Sequence, residues 1–222
     1  MLQTTIKPET LKTMDQVQLA SIDLRDKLKP DYILDHVMPR LISKTKAQAD
    51  EDIGIITEHF VGSLYIRWVV ILGEDETGEI ALTVSQDCIR AVGVTLDEIK
   101  TAALSNIKDT TDIEPIEQML PIDMVSTPAP SFLVATNKRK HFGAAAVLLQ
   151  PETLAEQERK IGSFNIIPSS VHEVLLIPDA LGIPAEELKA MLIDVNRTIV
   201  EEKDILDDHI YRVENGELKM ID

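Results

Sequence analysis

Two extended apolar segments joined by a polar turn constrain the fold of this chain more than any other feature. Residues 63–72, SLYIRWVVIL, are rich in β-branched and aromatic residues, and residues 79–85, EIALTVS, form a second extended run. The segment between them, residues 73–78, is polar and has a glycine at each end. This pattern predicts a β-hairpin, because β-branched and aromatic side chains favour strands and glycine favours tight turns.

Further extended segments follow in the second half of the chain. They are residues 131–136 (SFLVAT), 142–149 (FGAAAVLL), 164–168 (FNIIP) and 171–178 (VHEVLLIP). The chain closes with residues 210–221, IYRVENGELKMI, in which Asn215-Gly216 between extended runs is a strong hairpin signal. Together these segments predict a sheet that is mainly antiparallel or mixed.

Helices are predicted from their terminal residues and from apolar spacing. The ranges Ser85–Gly93 and Pro151–Gly162 each combine a favourable first residue with a glycine stop. Thr95 and Glu98 form the pattern of a capping box at the start of another helix. The clearest amphipathic helix has apolar residues at helical spacing, which are Leu188, Met191, Leu192, Val195 and Ile199.

Residues 1–52 are interpreted as an N-terminal helical segment. A proline at position 39 should end or kink the second of its two helical stretches, and Lys44 to Asp52 is interpreted as a polar connector. The apolar residues on loosely helical spacing are Leu11, Met14, Val17, Leu24, Ile33, Leu34, Val37, Leu41 and Ile42.

The expected fold is α+β, with a mainly antiparallel or mixed sheet covered by helices. Residues 109–130 contain prolines at positions 115, 121, 128 and 130, so they are interpreted as an irregular crossing with at most one helical turn. We therefore expect residues 53–222 to form an α+β domain, either as one body or as two halves joined by this crossing.

The charge balance limits the partners. The chain has 38 acidic and 22 basic residues, for a formal net charge of −16. A surface this negative repels phosphate backbones, so direct binding to DNA or RNA is not expected. The same charge leaves open an acidic mimic of nucleic acid that occupies the basic groove of another protein.

The cysteine count and the apolar runs indicate a compartment. Cys88 is the only cysteine, which excludes an intrachain disulfide and a zinc site built from several cysteines of this chain. We interpret it as a buried small hydrophobe. The first residues lack the apolar core of a signal peptide, and no apolar run is long enough to span a membrane. The expected location is the cytoplasm, without membrane contact.

No cofactor and no metal are expected. The phosphate-binding patterns G-x-G-x-x-G and G-x-x-x-x-G-K do not occur. Asp207, Asp208 and His209, which follow other acidic residues, have neither the glycine nor the spacing of a calcium loop. This acidic run is interpreted as a solvated face.

The segment around His172 contains the residue types of nucleophilic catalysis. Ser169, Ser170, His172 and Glu173 lie within five positions. On a strand, His172 and Glu173 would point to opposite faces, which favours a turn formed by the serines and spanned by a hydrogen bond from His172. The alternative is a hydrolase-like site that uses Ser170, His172 and Glu173.

One basic cluster interrupts the acidic chain. Lys138, Arg139 and Lys140, followed by His141, could contact an anion or an acidic partner, since local charge acts within a Debye length. The alternative is a solvated hairpin turn.

Four blocks of sequence resemble a known bacterial family. They are residues 82–106, 136–154, 166–179 and 185–196, whose order along the chain is more specific than any one of them. The chain resembles domain of unknown function fifty-six eighty-eight from about Asp31 to its C-terminus. The same layout, with a GELKM-like final hairpin, is more distantly similar to domain of unknown function fourteen forty-four. The resemblance implies a shared α+β fold and no reaction, ligand or catalytic residue.

These observations leave three hypotheses for function. The favoured one is a non-enzymatic module that binds or regulates another protein. The alternatives are the hydrolase-like enzyme at His172 and the acidic mimic. An enzyme should bring His172 together with a polar group from a distant segment, whereas a binding module should expose a contact surface.

Overall fold

The computed structural model describes residues 24–75, 78–108, 110–119, 131–138, 143–214 and 216–221. Its strands are β1 (Val37–Ser43), β2 (Thr57–Val61), β3 (Leu64–Asp75), β4 (Gly78–Thr83), β5 (Thr111–Pro115), β6 (Leu133–Asn137), β7 (Phe164–Ile167), β8 (Val174–Pro178), β9 (Tyr211–Glu214) and β10 (Glu217–Met220).

Helices precede the first strand and lie between several of the others. The α-helices are α1 (Leu24–Lys27), α2 (Pro30–His36), α3 (Lys44–Asp52), α4 (Gln86–Val92), α5 (Leu96–Asn106), α6 (Ile116–Met119), α7 (Pro151–Ile161) and α8 (Ala185–Thr198). Two short 3₁₀ helices cover Ala144–Leu149 and Asp179–Leu181.

The strands form two sheets, which confirms the predicted α+β class. One sheet has four strands in the order β1–β3–β2, with β4 also paired to β3. The other has six strands in the order β10–β9–β7–β8–β6–β5, and its strand pairs are antiparallel.

The chain divides into two compact units. The first comprises the described parts of Met1–Arg40, Lys44–Glu58 and Tyr65–Lys108. The second comprises the described parts of Leu41–Ser43, His59–Leu64 and Asp109–Asp222. The expected division into residues 1–52 and 53–222 stays a prediction.

The first unit contains the predicted hairpin and both predicted helix caps. Strands β3 and β4 pair antiparallel, and Trp68 in β3 is buried. The Ser85 hydroxyl accepts a hydrogen bond from the Cys88 amide, and α4 ends at Gly93 in the left-handed conformation. Thr95 and Glu98 form the complete capping box of α5. The structure confirms these elements. They could be predicted because caps and turns depend on interactions between near neighbours.

Two predictions for residues 37–52 are wrong. Residues 37–42 form β1 and not a continued helix, since the proline at position 39 blocks a helix and is tolerated in a terminal strand of a sheet. Lys44 to Asp52 forms α3 and not a connector. The Asp50 carboxylate of this helix is buried and accepts two hydrogen bonds from the Arg67 guanidinium, at 2.5 and 2.7 Å. This tertiary ion pair anchors a helix that has little apolar surface of its own.

In the second unit, two further predictions are wrong. Residues 144–149 form a 3₁₀ helix and not a strand, after a left-handed turn at Gly143 with a φ of 71°. Residues 111–115, placed in the irregular crossing, form β5 and pair with β6 from Thr111 opposite Asn137 to Pro115 opposite Leu133. The prolines of this crossing from position 121 onward lie outside the described residues.

The other elements of the second unit are confirmed. Strands β6, β7 and β8, helix α7 with Pro151 in its first turn, and the closing hairpin of β9 and β10 lie where the sequence predicts them. Helix α8 packs against the six-stranded sheet, and this cluster is formed by Ile167, Ile177, Leu188, Leu192 and Ile210.

Within the described ranges, no helix is long and apolar enough to cross a membrane.

Gly62, in the turn between β2 and β3, packs directly against the closing hairpin. Its φ is +58°, and a Cβ atom there would lie 2.7 Å from the Tyr211 hydroxyl oxygen and 3.0 Å from Met220 Sδ. Glycine is therefore required at this position both by its backbone conformation and by its neighbours.

We expect Gly62→Ala to lower the free energy of unfolding by roughly 2–4 kcal/mol, because backbone strain and a steric clash add up. The matched control is Gly182→Ala, where φ is +69° and nothing lies within 4 Å of the added Cβ. Strain alone should cost the control about 1 kcal/mol. Urea unfolding of both variants measures the difference, and equal losses would contradict the clash.

Candidate functional site

Ser170 and His172 lie in the loop between β7 and β8, so His172 and Glu173 do not sit on a strand. Ser170 is buried, and its hydroxyl oxygen accepts a hydrogen bond from the His172 backbone N–H at 3.1 Å. This contact is the local turn bond that serines commonly make. The Ser170 hydroxyl oxygen is therefore engaged as the acceptor of a hydrogen bond from the backbone.

The His172 imidazole pairs with a carboxylate from a distant segment. Its Nε2 lies 3.4 Å from Oδ1 of Asp204, and the two side chains are 28% and 22% exposed. The backbones also pair, since Val171 N–H donates to the Asp204 carbonyl at 3.0 Å and Leu206 N–H donates to the Ser169 carbonyl at 3.3 Å. The chain thus brings an acidic loop alongside the His172 turn.

Asp204 is a partner of His172 that no sequence motif indicates. It belongs to the acidic run before Asp207, whereas Glu173 is adjacent to His172 in sequence. Nothing in the local pattern identifies Asp204, because the contact depends on the pairing of two loops far apart in the chain. Glu173 itself is half-buried beside His172.

The same acidic loop carries a second and tighter group, which we name the Asp207 cluster (Asn196, Asp207, Asp208, His209 and Tyr211). The buried Asp207 carboxylate accepts hydrogen bonds from the Asp208 backbone N–H at 2.8 Å and from His209 Nδ1 at 2.9 Å. It also accepts one from the Tyr211 hydroxyl. Each carboxylate oxygen therefore has a donor, which a buried charge requires.

Asn196 connects this cluster to helix α8. Its side-chain amide donates to the Asp207 carbonyl at 2.9 Å and to Asp208 Oδ1 at 2.8 Å. Asn196 is buried on the inner side of the helix, four residues after Leu192. The polar contact ties the last turns of α8 to the loop that precedes β9.

Tyr211 is the buried member whose ionisation is most affected. Its side chain is fully buried. Burial raises the pKa of Tyr211 well above its ordinary value, and the hydrogen bond to the Asp207 carboxylate raises the pKa further. The phenol therefore stays protonated and acts as a hydrogen-bond donor.

His209 is a partly exposed member of the cluster, beside the exposed Asp208. Its side chain is 35% exposed, and the contact to Asp207 holds Nδ1 in place. A carboxylate at Nδ1 orients an imidazole, as it does in proton-transferring sites. The Asp207 cluster can therefore position one imidazole at the surface, while its other members stabilise the fold.

The described residues contain no group of three or more His, Cys, Asp or Glu side chains that could hold a metal ion. The expected absence of a metal and of a cofactor stays a prediction. Cys88 is buried, as expected, and burial raises the pKa of its thiol.

Only Lys138 of the predicted basic cluster belongs to the described residues. It follows β6 and is exposed, and its backbone N–H donates to the Thr110 carbonyl at 3.0 Å. Arg139, Lys140 and His141 lie outside the described residues, so the contact to an anion or a partner stays a prediction.

Helix α8 and the loop after it present a strongly acidic surface, which we name the α8 surface. Exposed acidic residues outnumber exposed basic residues there. The acidic residues are Glu186, Glu187, Asp194, Glu201, Glu202 and Asp208, and the basic residues are Arg197 and Lys203. This confirms that most of the acidic run forms a solvated face, with Asp207 as the buried exception.

A family model described as "Family of unknown function (DUF5688)" matches residues 4–214. This match bears out the resemblance drawn from the four sequence blocks, and it begins earlier than Asp31. The more distant similarity to domain of unknown function fourteen forty-four stays a prediction. No curated protein and no solved structure gives a significant match to the chain.

We expect Asp207→Ala to lower the free energy of unfolding by roughly 2–4 kcal/mol, since it removes the buried carboxylate that accepts hydrogen bonds from the Tyr211 hydroxyl and the Asp208 amide. The control from the same loop is Asp204→Ala. Removing that partly exposed contact to His172 should cost less than about 1 kcal/mol. Chemical unfolding at neutral pH measures both variants, and similar losses would show that the Asp207 cluster has no special role.

The Tyr211 phenol should also make stability depend on alkaline pH. Its pKa in the folded state lies above that in the unfolded state, so its contribution is complete below about pH 10 and is lost as the pH rises beyond that value. The free energy of unfolding should therefore fall more steeply above pH 10 in the parent than in Tyr211→Phe. Parallel curves in this range would contradict the assignment.

Proposed function

Because this chain belongs to the family of unknown function DUF5688, which carries no assigned reaction, we infer its role from its geometry and propose a non-enzymatic module that binds or regulates another protein. One observation carries the proposal. Of the six large apolar side chains that are exposed in the described part of the chain, three lie on α8 and its end, namely Met191, Ile193 and Ile199.

Exposed apolar side chains inside a strongly charged region are typical of a contact surface. Single exposed apolar residues are ordinary, but several on one side of an element among polar residues mark an interaction site. Met191 and Ile199 lie on the same side of α8, whereas Ile193 lies on another. Here the polar residues are those of the acidic α8 surface defined above. The combination supports a partner that offers both apolar side chains and positive charge.

The charge also decides which partners we propose. The formal net charge of −16 disfavours direct contact with nucleic acid or with an anionic membrane surface. We place the protein in the cytoplasm, where its single buried thiol at Cys88 fits a reducing compartment. The acidic mimic of nucleic acid is the version of this module in which the partner is a nucleic-acid-binding protein.

One specific observation supports the alternative hypothesis of a hydrolase-like enzyme. His172 has a carboxylate partner, Asp204, from a distant segment, at 3.4 Å. A hydrolase also needs an accessible nucleophile, and the buried Ser170 hydroxyl accepts a hydrogen bond from backbone instead. We therefore retain the hydrolase-like enzyme as the second candidate, with His172 as its test residue.

The proposal predicts a partner whose capture depends on salt. Tagged full-length chain incubated with lysate of its source cells should retain the partner at low ionic strength and lose most of it at roughly 0.5 M salt, because exposed charges are screened. A variant of equal stability with Lys138→Ala tests the basic cluster separately.

The same preparation, screened for ester, peptide, phosphate and nucleotide hydrolysis, tests the second candidate. We expect no turnover that His172→Ala abolishes. Reproducible turnover that requires His172, without a salt-sensitive partner, would replace the binding module by the hydrolase-like enzyme.

A further inference from the structure

We propose that one row of side chains along α8 and the residue that follows it, formed by Met191, Val195 and Ile199, is the docking site for a basic amphipathic helix of a partner protein. This inference rests on the proposed binding function and adds the position of the contact and the chemistry of the partner. It follows from how α8 divides its apolar residues between the core and the surface.

The larger apolar residues of α8, apart from Ile193 on another side of the helix, occupy two adjacent rows. Residues four apart lie on the same row of an α-helix. Leu188 and Leu192, on the inner row, are 1% and 2% exposed and pack on the sheet. Met191 and Ile199, on the neighbouring row, are 54% and 75% exposed, and Val195 between them is half-buried. The apolar stripe is wider than the sheet surface that it covers.

The outer row stays exposed to solvent because of the contacts that the inner row makes. Its third member is Asn196, and the amide of this residue donates to the Asp207 carbonyl and to Asp208. Together with the packing of Leu188 and Leu192, those polar contacts hold α8 in the rotation that leaves Met191 outside. A helix already held in this way loses less conformational entropy when a partner binds.

Charge selects the occupant. The acidic residues beside the row are Glu187, Asp194, Glu201 and Glu202, all exposed. A helix with leucine-like residues on one side and lysine or arginine on its flanks would bury the apolar row and meet these carboxylates. Methionine, which adapts its shape to different partners, is common on such surfaces.

Two other occupants fit the charge less well. A second copy of this chain would bring the same acidic surface and a net charge of −16, so like charges would meet. Residues 1–23 of the chain contain Lys7 and Lys12 against Glu9, Asp15 and Asp23, so they offer no excess of positive charge.

The test uses a synthetic amphipathic helix of leucine and lysine, about 18 residues or five turns long, as the probe. Its control replaces every lysine by glutamate. The dissociation constant for the full-length chain is measured by fluorescence anisotropy at low salt. We expect the lysine peptide to bind and the glutamate peptide not to bind.

Variants of the chain locate the contact. Ile199→Ser should weaken binding of the lysine peptide roughly fivefold to tenfold. The matched control is Ile53→Ser, at an isoleucine that is 61% exposed directly after α3, and it should change binding less than twofold. Both positions are exposed, so melting temperatures should match the parent.

Two double variants, each of which removes two negative charges, complete the test. Glu187→Gln with Asp194→Asn should weaken binding and reduce its salt dependence, whereas Asp52→Asn with Glu217→Gln, which removes the same charge from exposed positions elsewhere, should not. If the control variants weaken binding as much as the α8 variants do, attraction is general and the docking site is wrong. Concentration-dependent self-association that Ile199→Ser abolishes would also overturn it, in favour of a second copy.

The two proposals fail in different ways. Peptide binding that is insensitive to Ile199→Ser, together with a salt-sensitive partner from lysate, refutes the α8 site and leaves the binding module standing. A captured partner that Ile199→Ser releases and Ile53→Ser does not supports both proposals. Failure of the lysine peptide to bind, with no salt-sensitive partner, refutes both.

Discussion

The hydrogen bonds to the buried Asp207 carboxylate are the interaction on which the second unit depends. A charge removed from water must be matched by donors, and here they come from the next backbone amide, from His209 and from the phenol of Tyr211. Because Tyr211 begins β9, this set of bonds fixes where the closing hairpin starts. Gly62, which is distant in sequence, lacks a side chain and so leaves room for the Tyr211 hydroxyl that donates to Asp207.

The Asp207 cluster also decides what α8 shows to the surface. Asn196 takes the place of a third leucine on the inner row, and its contacts hold the helix in one rotation. Met191 and Ile199 are left exposed, and they lie among carboxylates. Stability and the proposed binding function share the same residues.

The candidate site could be predicted from sequence only in its local part. The hydrogen bond from the His172 amide to Ser170 follows from turn chemistry, which acts within a few residues. Asp204 and the Asp207 cluster could not be found in this way, because their partners meet only after two loops have paired. The spacing of the acidic residues excludes a calcium loop. It does not predict that the Asp207 carboxylate accepts a hydrogen bond from a tyrosine four residues later.

The α+β class, the main hairpins, the helix caps at Ser85 and Thr95, and the family can all be predicted from the order of residues alone. These depend on alternation, turn residues and capping, which are interactions between near neighbours. Long-range packing, in contrast, places residues 37–42 in a strand and residues 144–149 in a 3₁₀ helix, and it selects which half of the α8 stripe is buried. Those outcomes depend on which surfaces are available to pack against, and a stretch of apolar residues carries no information about the surface that it will meet.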